Sequence, residues 1–274
     1  MRLPRIPTVG ELLRFLIALL FLAVCIYLNT LNQVTIERYF HIHMNRPTLF
    51  DLGFLVIPKI HQTWLCDYVN LLLIFTTLPI ILLFHPRYPL VFKRFFVIHG
   101  LMYLIRSPSI IVTLLPNPDT SCIPKTRPES NIMIEAFRVL TVQRTTCGDV
   151  MFSGHSGSLT VMALLFQTYS REVFERFGGE WIRIGKSICV GVNWLIAITG
   201  FILIIGTRFH YTIDVLIAVV IATLVFFSYH HIVRSPTLSR RIPFIYWFDG
   251  VTEEVGPRQS LKGIDAKAQR GVHV

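Results

Sequence analysis

Cys147-Gly148-Asp149-Val150-Met151-Phe152-Ser153-Gly154-His155 is a polar turn that runs straight into a long apolar stretch. His210-Tyr211-Thr212-Ile213-Asp214 does the same, beginning 55 residues after the first histidine. Serine ahead of an apolar run is a good helix N-cap, so Ser153 marks a helix start with His155 in its first turn. Gly154 lets a ligand approach the backbone closely. The second cluster places His210 and Asp214 four residues apart at the start of another helix. Such residues share a face, so Asp214 is placed to hold the histidine ring. An oriented histidine with a second histidine facing it is a nucleophile-and-acid pair suited to phosphoryl transfer. The positive ends and N–H groups of the two helix starts would face a bound phosphate.

Outward from these clusters the chain is apolar. Of 274 residues, 53% are hydrophobic and only 15% charged, too little charge for a soluble domain of this length. Several runs approach the length of about 20 apolar residues that crosses a bilayer. The expected class is all-α: a polytopic membrane protein, a six-transmembrane-helix bundle with spans near 15–31, 65–84, 95–115, 153–169, 184–206 and 211–230. Pro79 and Pro108 fall inside spans and are expected to kink them. The expected organisation is a transmembrane catalytic domain over 1–234 and a flexible, basic cytosolic tail over 235–274. The first run lacks a small-residue cleavage site and reads as a retained helix. The net charge of +10 does not point to nucleic acid, because no aromatic-basic interleaving accompanies it and much of it flanks the apolar runs.

Lys and Arg number 17 on the side holding both termini and 8 on the other, which predicts cytosolic termini. Whatever the sign, the fourth and sixth spans begin on the same side, so His155, His210 and Asp214 can meet there, at the predicted non-cytosolic face. Cys122 and Cys147 lie in the loop on that side, where oxidation is feasible, and are expected to form a disulfide. Cys25 and Cys189 read as buried span residues and Cys66 as a span-edge residue.

Arg106 falls near the middle of the third span, where an arginine costs roughly 2.5–3.5 kcal/mol on insertion scales. It needs an anion, and two readings stand side by side: a lipid phosphate, or a structural pair with Asp67 in the second span. Arg208 is a phosphate ligand at the site's mouth. Asp149 and Glu135 are the expected partners of His155, with Asp149 equally suited to capping the helix. Two histidines and a carboxylate also suit a divalent ion. No tight ligand spacing joins them, so no metal and no other cofactor is expected. His41, His43 and His61 read as surface groups, and His230 and His231 as closing the sixth span away from the site.

The same residues carry a family resemblance. Cys147-Gly148-Asp149-x3-Ser153-Gly154-His155 resembles the third signature block of the sphingomyelin synthase family, the ceramide phosphotransferases of the lipid phosphate phosphatase superfamily. His210-Tyr211-Thr212-x-Asp214-Val215, continued by Phe226-x2-Tyr229-His230, resembles the fourth. Lys93-Arg94-x8-Tyr103-x2-Arg106-x6-Thr113-x-Leu115-Pro116 is similar to the second. Ser156 and Val219 stand where the family usually has threonine and tyrosine, and Pro47-Thr48-Leu49-Phe50-Asp51 stands in place of the first block. The resemblance implies transfer of a phospho-headgroup from a glycerophospholipid to the primary hydroxyl of ceramide, releasing diacylglycerol. On it, His210 forms a phosphohistidine, Asp214 orients it, and His155 is acid and then base. Arg106, Arg208 and the helix starts hold the phosphate oxygens, Tyr103 and Tyr211 line the pocket, and Ser153, Gly154 and Asp149 complete the substrate- and phosphate-binding set. The partners implied are the lipid substrates and the membrane, with no nucleic acid; a homo-oligomer stays open. The setting implied is Golgi, ER or plasma membrane, with the site luminal or exoplasmic. The competing readings are a lipid phosphatase or phospholipase C-type hydrolase and, without catalysis, a lipid scramblase or sensor.

Overall fold

Apolar runs this long leave the backbone no water to bond to in lipid, so each must satisfy its own N–H and C=O groups as a helix. The structure, a computed structural model, describes residues 8–44, 47–119, 122, 130–175 and 181–249, and among these there are helices and no strand. In chain order they are α1 (Val9–Met44), α2 (Leu52–Val56), α3 (Trp64–Phe84), α4 (Tyr88–Val112), α5 (Ile132–Leu140), α6 (Gly154–Phe174), α7 (Trp181–Gly206), α8 (Thr212–Arg234), α9 (Pro236–Arg241) and α10 (Pro243–Asp249).

Five helices, α1, α3, α4, α7 and α8, are long and apolar enough to cross a membrane. The remaining expected span is α6, a 21-residue helix buried along most of its length. It packs against α3, α4 and α7. Its serines and threonines are tolerated because protein rather than lipid covers it. Met102 of α4 presses so close to Gly157 that a β-carbon there would lie 2.4 Å from the methionine sulfur. Pro79 and Pro108 both lie inside continuous helices, α3 and α4.

The first helix departs from expectation. The segment after residue 31 reads as an outer loop in sequence, yet α1 runs unbroken for 36 residues. That is about 54 Å, well beyond the roughly 30 Å of hydrocarbon, so its later turns rise clear of the lipid core. Polar Asn29, Gln33 and Glu37, four apart, are all buried there on one face. Cys25 is buried as expected, and the span-edge Cys66 is buried too; Cys189, expected to be buried, is instead exposed, because it sits on a helix whose outer face also exposes Ile184, Ile188 and Val192.

The chain divides into two units, the first ending at Phe226 and the second running from Phe227. In the second, Ser235 caps α9 through Leu238 N–H, and the Tyr229 hydroxyl donates to Asp249 Oδ1 at 3.4 Å. Within the expected tail, 236–241 and 243–249 form two short helices. Arg258, Lys262, Lys267 and Arg270 lie outside the described residues.

Candidate active site

The start of α6 is held by polar groups on three sides. Ser153 is its N-cap, as expected, and accepts from Ser156 N–H at 3.2 Å. Ahead of it, Phe152 adopts φ 64°, a left-handed conformation that is uncommon for a bulky residue and concentrates at functional sites. Arg106 makes that turn worthwhile. Its Nε donates to the Phe152 carbonyl at 2.7 Å, Nη1 to Asn29 Oδ1 at 2.6 Å, and Nη2 to Asp149 Oδ2 at 2.8 Å and to the Asp149 carbonyl at 3.3 Å. Four of the guanidinium's five N–H groups are thereby used. Gln33 Nε2 completes the set on Asp149 Oδ2 at 2.6 Å. Of the two readings of Arg106, the pair with Asp67 is not formed. Asp149 is the anion Arg106 pairs with, and the fork is bonded both to the side chain and to the backbone of Asp149. Burial pushes the Asp149 carboxyl up. The Arg106 charge beside it, with His210 and the hydrogen bonds from Arg106 and Gln33, outweighs this and holds it below the ordinary carboxylate range.

One strap further along, Cys147 is bridged to Cys122, the pairing expected from sequence. Its N–H donates to Glu37, and its carbonyl accepts from Asn117 Nδ2 at 2.7 Å. Residues 147–153 are in this way stitched to α1, α4 and the bridged loop.

The start of α8 is fastened differently. Asp51, ahead of α2, accepts from Thr212 N–H at 2.8 Å and Thr212 Oγ1 at 2.6 Å, while capping α2 through Gly53 and Phe54. A β-carbon on Gly53 would fall 2.1 Å from Thr212 Oγ1, so this approach requires glycine. Arg208, with φ 60°, donates to the carbonyls of Phe54, Ile57 and Ile205 and lies 4.2 Å from the centre of the Phe54 ring. It borders the cavity, and three of its hydrogen bonds hold α2 against the end of α7. Tyr211, expected in the pocket, lies off it: its hydroxyl donates to the Pro116 carbonyl and accepts from Leu49 N–H, and its ring stacks on Phe54 at 5.5 Å. Tyr103 does line the cavity.

His210 is 2% exposed. Its Nδ1 lies 2.6 Å from the Val150 carbonyl, which can only accept, so Nδ1 carries the proton and Nε2 keeps its lone pair. Asp214, the expected orienting group, stands 4.0 Å from Nδ1, beyond hydrogen-bond reach, and accepts instead from Tyr211 N–H at 3.0 Å. In the first turn its carboxylate curls back to cap its own helix, and the Val150 carbonyl from the strap takes the ring. Burial is the main cause that lowers the His210 pKa to about 4, with the Arg106 charge adding to it and Asp149 opposing.

His155 pairs with neither Asp149 nor Glu135. Its Nε2 lies 2.8 Å from Asp67 Oδ1, in the first turn of α3. Asp149 is taken by Arg106, and Glu135 is occupied by Arg138 at 2.5 Å and Arg144 at 3.9 Å. Phe209 meets both histidine rings edge-on, its centroid 5.3 Å from His155 and 5.6 Å from His210. Both line one cavity of about 830 Å³, together with Asn29, Asp67, Arg106, Asp149 and Gly154. His61 also borders it. Among the described residues, no three His, Cys, Asp or Glu side chains are gathered as a metal site would need.

Asn29, Gln33, Asp51 and the Val150 carbonyl were missed from sequence. The first two carried a signal, polar residues four apart on one face of the first span. A backbone carbonyl carries none.

Comparison with known proteins places this site in context. Residues 146–231, which hold both histidines, match the PAP2 superfamily C-terminal family. The chain is 28% identical over 286 residues to phosphatidylcholine:ceramide cholinephosphotransferase 1 of Caenorhabditis elegans, covering 94% of this chain and 56% of that protein. It is 30% identical over 250 residues to phosphatidylcholine:ceramide cholinephosphotransferase 2 of the same organism, covering 82% and 71%. Against a phosphatidylethanolamine:ceramide ethanolaminephosphotransferase of Trypanosoma brucei brucei it is 28% identical, covering 84% and 80%. The chain thus spans little more than half the length of the first of these relatives.

Proposed function

The chain belongs to the sphingomyelin synthase family within the PAP2 superfamily, and from that membership we propose that it moves a phospho-headgroup from a glycerophospholipid to ceramide, releasing diacylglycerol. The observation that carries this reading is a neutral, buried His210 with its Nδ1 proton fixed on a carbonyl, sharing a cavity with a second, carboxylate-paired histidine.

In the first half-reaction the Nε2 lone pair of His210 attacks phosphorus, and the bond from phosphorus to the diacylglycerol oxygen breaks. His155 gives that oxygen a proton, so neutral diacylglycerol leaves and the headgroup stays on the histidine. In the second half the ceramide hydroxyl yields its proton to His155 as its oxygen attacks phosphorus. The phosphorus–nitrogen bond breaks and His210 returns to its starting state. As the attacking ring takes on positive charge, Asp149 and Asp214 supply nearby negative charge. Asp67 keeps the His155 ring aimed into the cavity. Arg106 acts by shaping the 149–153 strap, and the α6 N-terminus faces the transferring phosphate. The Lys and Arg asymmetry supports cytosolic termini with this cavity on the luminal or exoplasmic side.

The deciding experiment reconstitutes the purified protein with ceramide and a mixture of headgroup-labelled choline, ethanolamine and inositol donors. Label is expected in a sphingolipid, and the donor that supplies it identifies the headgroup. Label released as a water-soluble phosphate ester, with none in sphingolipid, would make the protein a hydrolase. Without ceramide, label is expected on the protein through an acid-labile bond that His210→Ala abolishes.

A further inference from the structure

Resting on the lipid reading of the cavity, we infer that α5 is a membrane-inserted entry element: its apolar face lies among the acyl chains of the leaflet on the cavity side and guides lipid headgroups into the site.

The helix is two-faced at close quarters. Met133, Ile134, Phe137 and Leu140 recur at helical spacing and are 60, 52, 56 and 36% exposed. On the other side Glu135 and Ala136 are fully buried, Glu135 being neutralised by Arg138 and Arg144. Four large apolar groups exposed on nine residues are costly in water and natural in a bilayer interface.

Depth says what covers them. The first span, near 15–31, clears the charged Glu11 and Arg14 and ends about one turn beyond Tyr27, which puts Tyr27 close to the outer edge of the hydrocarbon. At that boundary the Tyr27 hydroxyl, a group favoured at membrane interfaces, donates to the Met133 carbonyl at 3.2 Å. Higher on the same helix, Arg38 Nη2 donates to the Ser130 carbonyl at 2.7 Å. The start of α5 is therefore tied to α1 at the level where acyl chains give way to headgroups.

The lipid-facing side also runs into the cavity. Leu140 belongs to both, and Val139, Val142, Arg144 and Cys147 continue along the cavity wall. The turn between them is made by Val142, 83% exposed with φ 60°, a conformation a β-branched residue rarely adopts. The Cys122–Cys147 bridge closes the loop that carries α5 and fastens it to the strap bearing Asp149. A lipid whose chains lie along Met133, Ile134 and Phe137 has a short path for its headgroup, past Leu140 and Val142 toward His210.

The test uses full-length protein in liposomes with Cys189→Ser removing the exposed thiol and the disulfide kept. A nitroxide at Ile134→Cys or Phe137→Cys is expected to relax at least fivefold more with oxygen, which partitions into lipid, than with a water-soluble nickel chelate. Greater access to nickel, or shielding from both as against a second copy of the chain, would overturn the proposal. This arm needs no activity, so it stands apart from the transfer assay. The second arm is Ile134→Ser with Phe137→Ser. KM for long-chain bilayer donors should rise about tenfold, with turnover of a water-dispersed short-chain donor within twofold of the parent. Equal loss on both substrates would also overturn it.

Discussion

The starts of α6 and α8 bring a histidine to the same cavity by opposite means. His210 is dry, its side chain 3% exposed, and held by a backbone carbonyl. His155 is wetter, 23% exposed, and held by the side chain of Asp67, itself 64% exposed. A carbonyl fixed in a strap cannot change its protonation state or swing away, so it suits a group that must present one lone pair in one direction. A solvated carboxylate can follow a ring that gives up a proton in one half-reaction and takes it back in the next. The contrast fits the proposed roles, in which the buried ring is the nucleophile and the accessible one moves protons.

The strongest way to break that assignment is to exchange the losses. His210→Ala should lower transfer by more than about 10⁴-fold and leave no covalent intermediate. His155→Ala should cost about 10²–10⁴-fold, the range for general acid–base groups. The double variant should be no worse than His210→Ala alone, because the two act as a unit. Trapped headgroup on the protein in His210→Ala, or a larger loss for His155→Ala, would reverse the roles.

Much of the architecture was legible because it rests on pattern. Apolar runs gave the all-α membrane class. Ser153 and the His-x3-Asp spacing gave two helix starts on one side, and two loop cysteines gave the bridge. What was not legible depends on which of several similar groups wins a partner. Arg106 lies about equally suited in sequence to Asp67 or a phosphate, yet Asp149 wins because its strap also supplies two carbonyls to the same fork. Asp214 shares a face with His210 but turns to cap Tyr211 N–H. The Val150 carbonyl has no signature, since every residue has one. Asp51 pins α8 from 161 residues away, a distance no local spacing rule reaches.

The two helix starts can also be compared by their fastenings, one covalent and one hydrogen-bonded. Cys122→Ser with Cys147→Ser opens a loop with a separation of 25 residues. It should lower stability by about 3 kcal/mol in the chain-entropy model. Asp51→Ala removes a partly buried carboxylate that serves Thr212, Gly53 and Phe54, and should cost about 2 kcal/mol. Thermal unfolding in detergent checks both. If the cysteine variant loosens the strap, it should also lower transfer more than Asp51→Ala does, because the strap carries the carbonyl that holds the nucleophile. Asp67→Asn tests the wetter histidine more gently: an amide oxygen can still accept from the ring, so kcat should fall only about tenfold with KM little changed. A loss matching His155→Ala would mean that Asp67 itself takes part in the proton transfer.

The smallest expected effect is a change in how stability follows pH, and it isolates the dry histidine. The folded protein lowers the His210 pKa to about 4, chiefly by burial. In the unfolded chain it returns to about 6.5. Between those values the unfolded state binds a proton that the folded state does not, so acid favours unfolding. Stability owed to this group is therefore flat above about pH 6.5 and is lost progressively as pH falls toward 4. Asp149 is held below the ordinary carboxylate range, so its own contribution is lost at still lower pH and does not mask the window. His210→Gln keeps a donor for the Val150 carbonyl and removes the titration. Wild-type Tm in detergent should fall more steeply than that of the variant between pH 6.5 and 4.5, and the two should run parallel above pH 7. Parallel curves throughout would show that His210 takes up its proton in the folded protein near the ordinary value, and the contrast between a dry nucleophile and a wetter proton carrier would collapse.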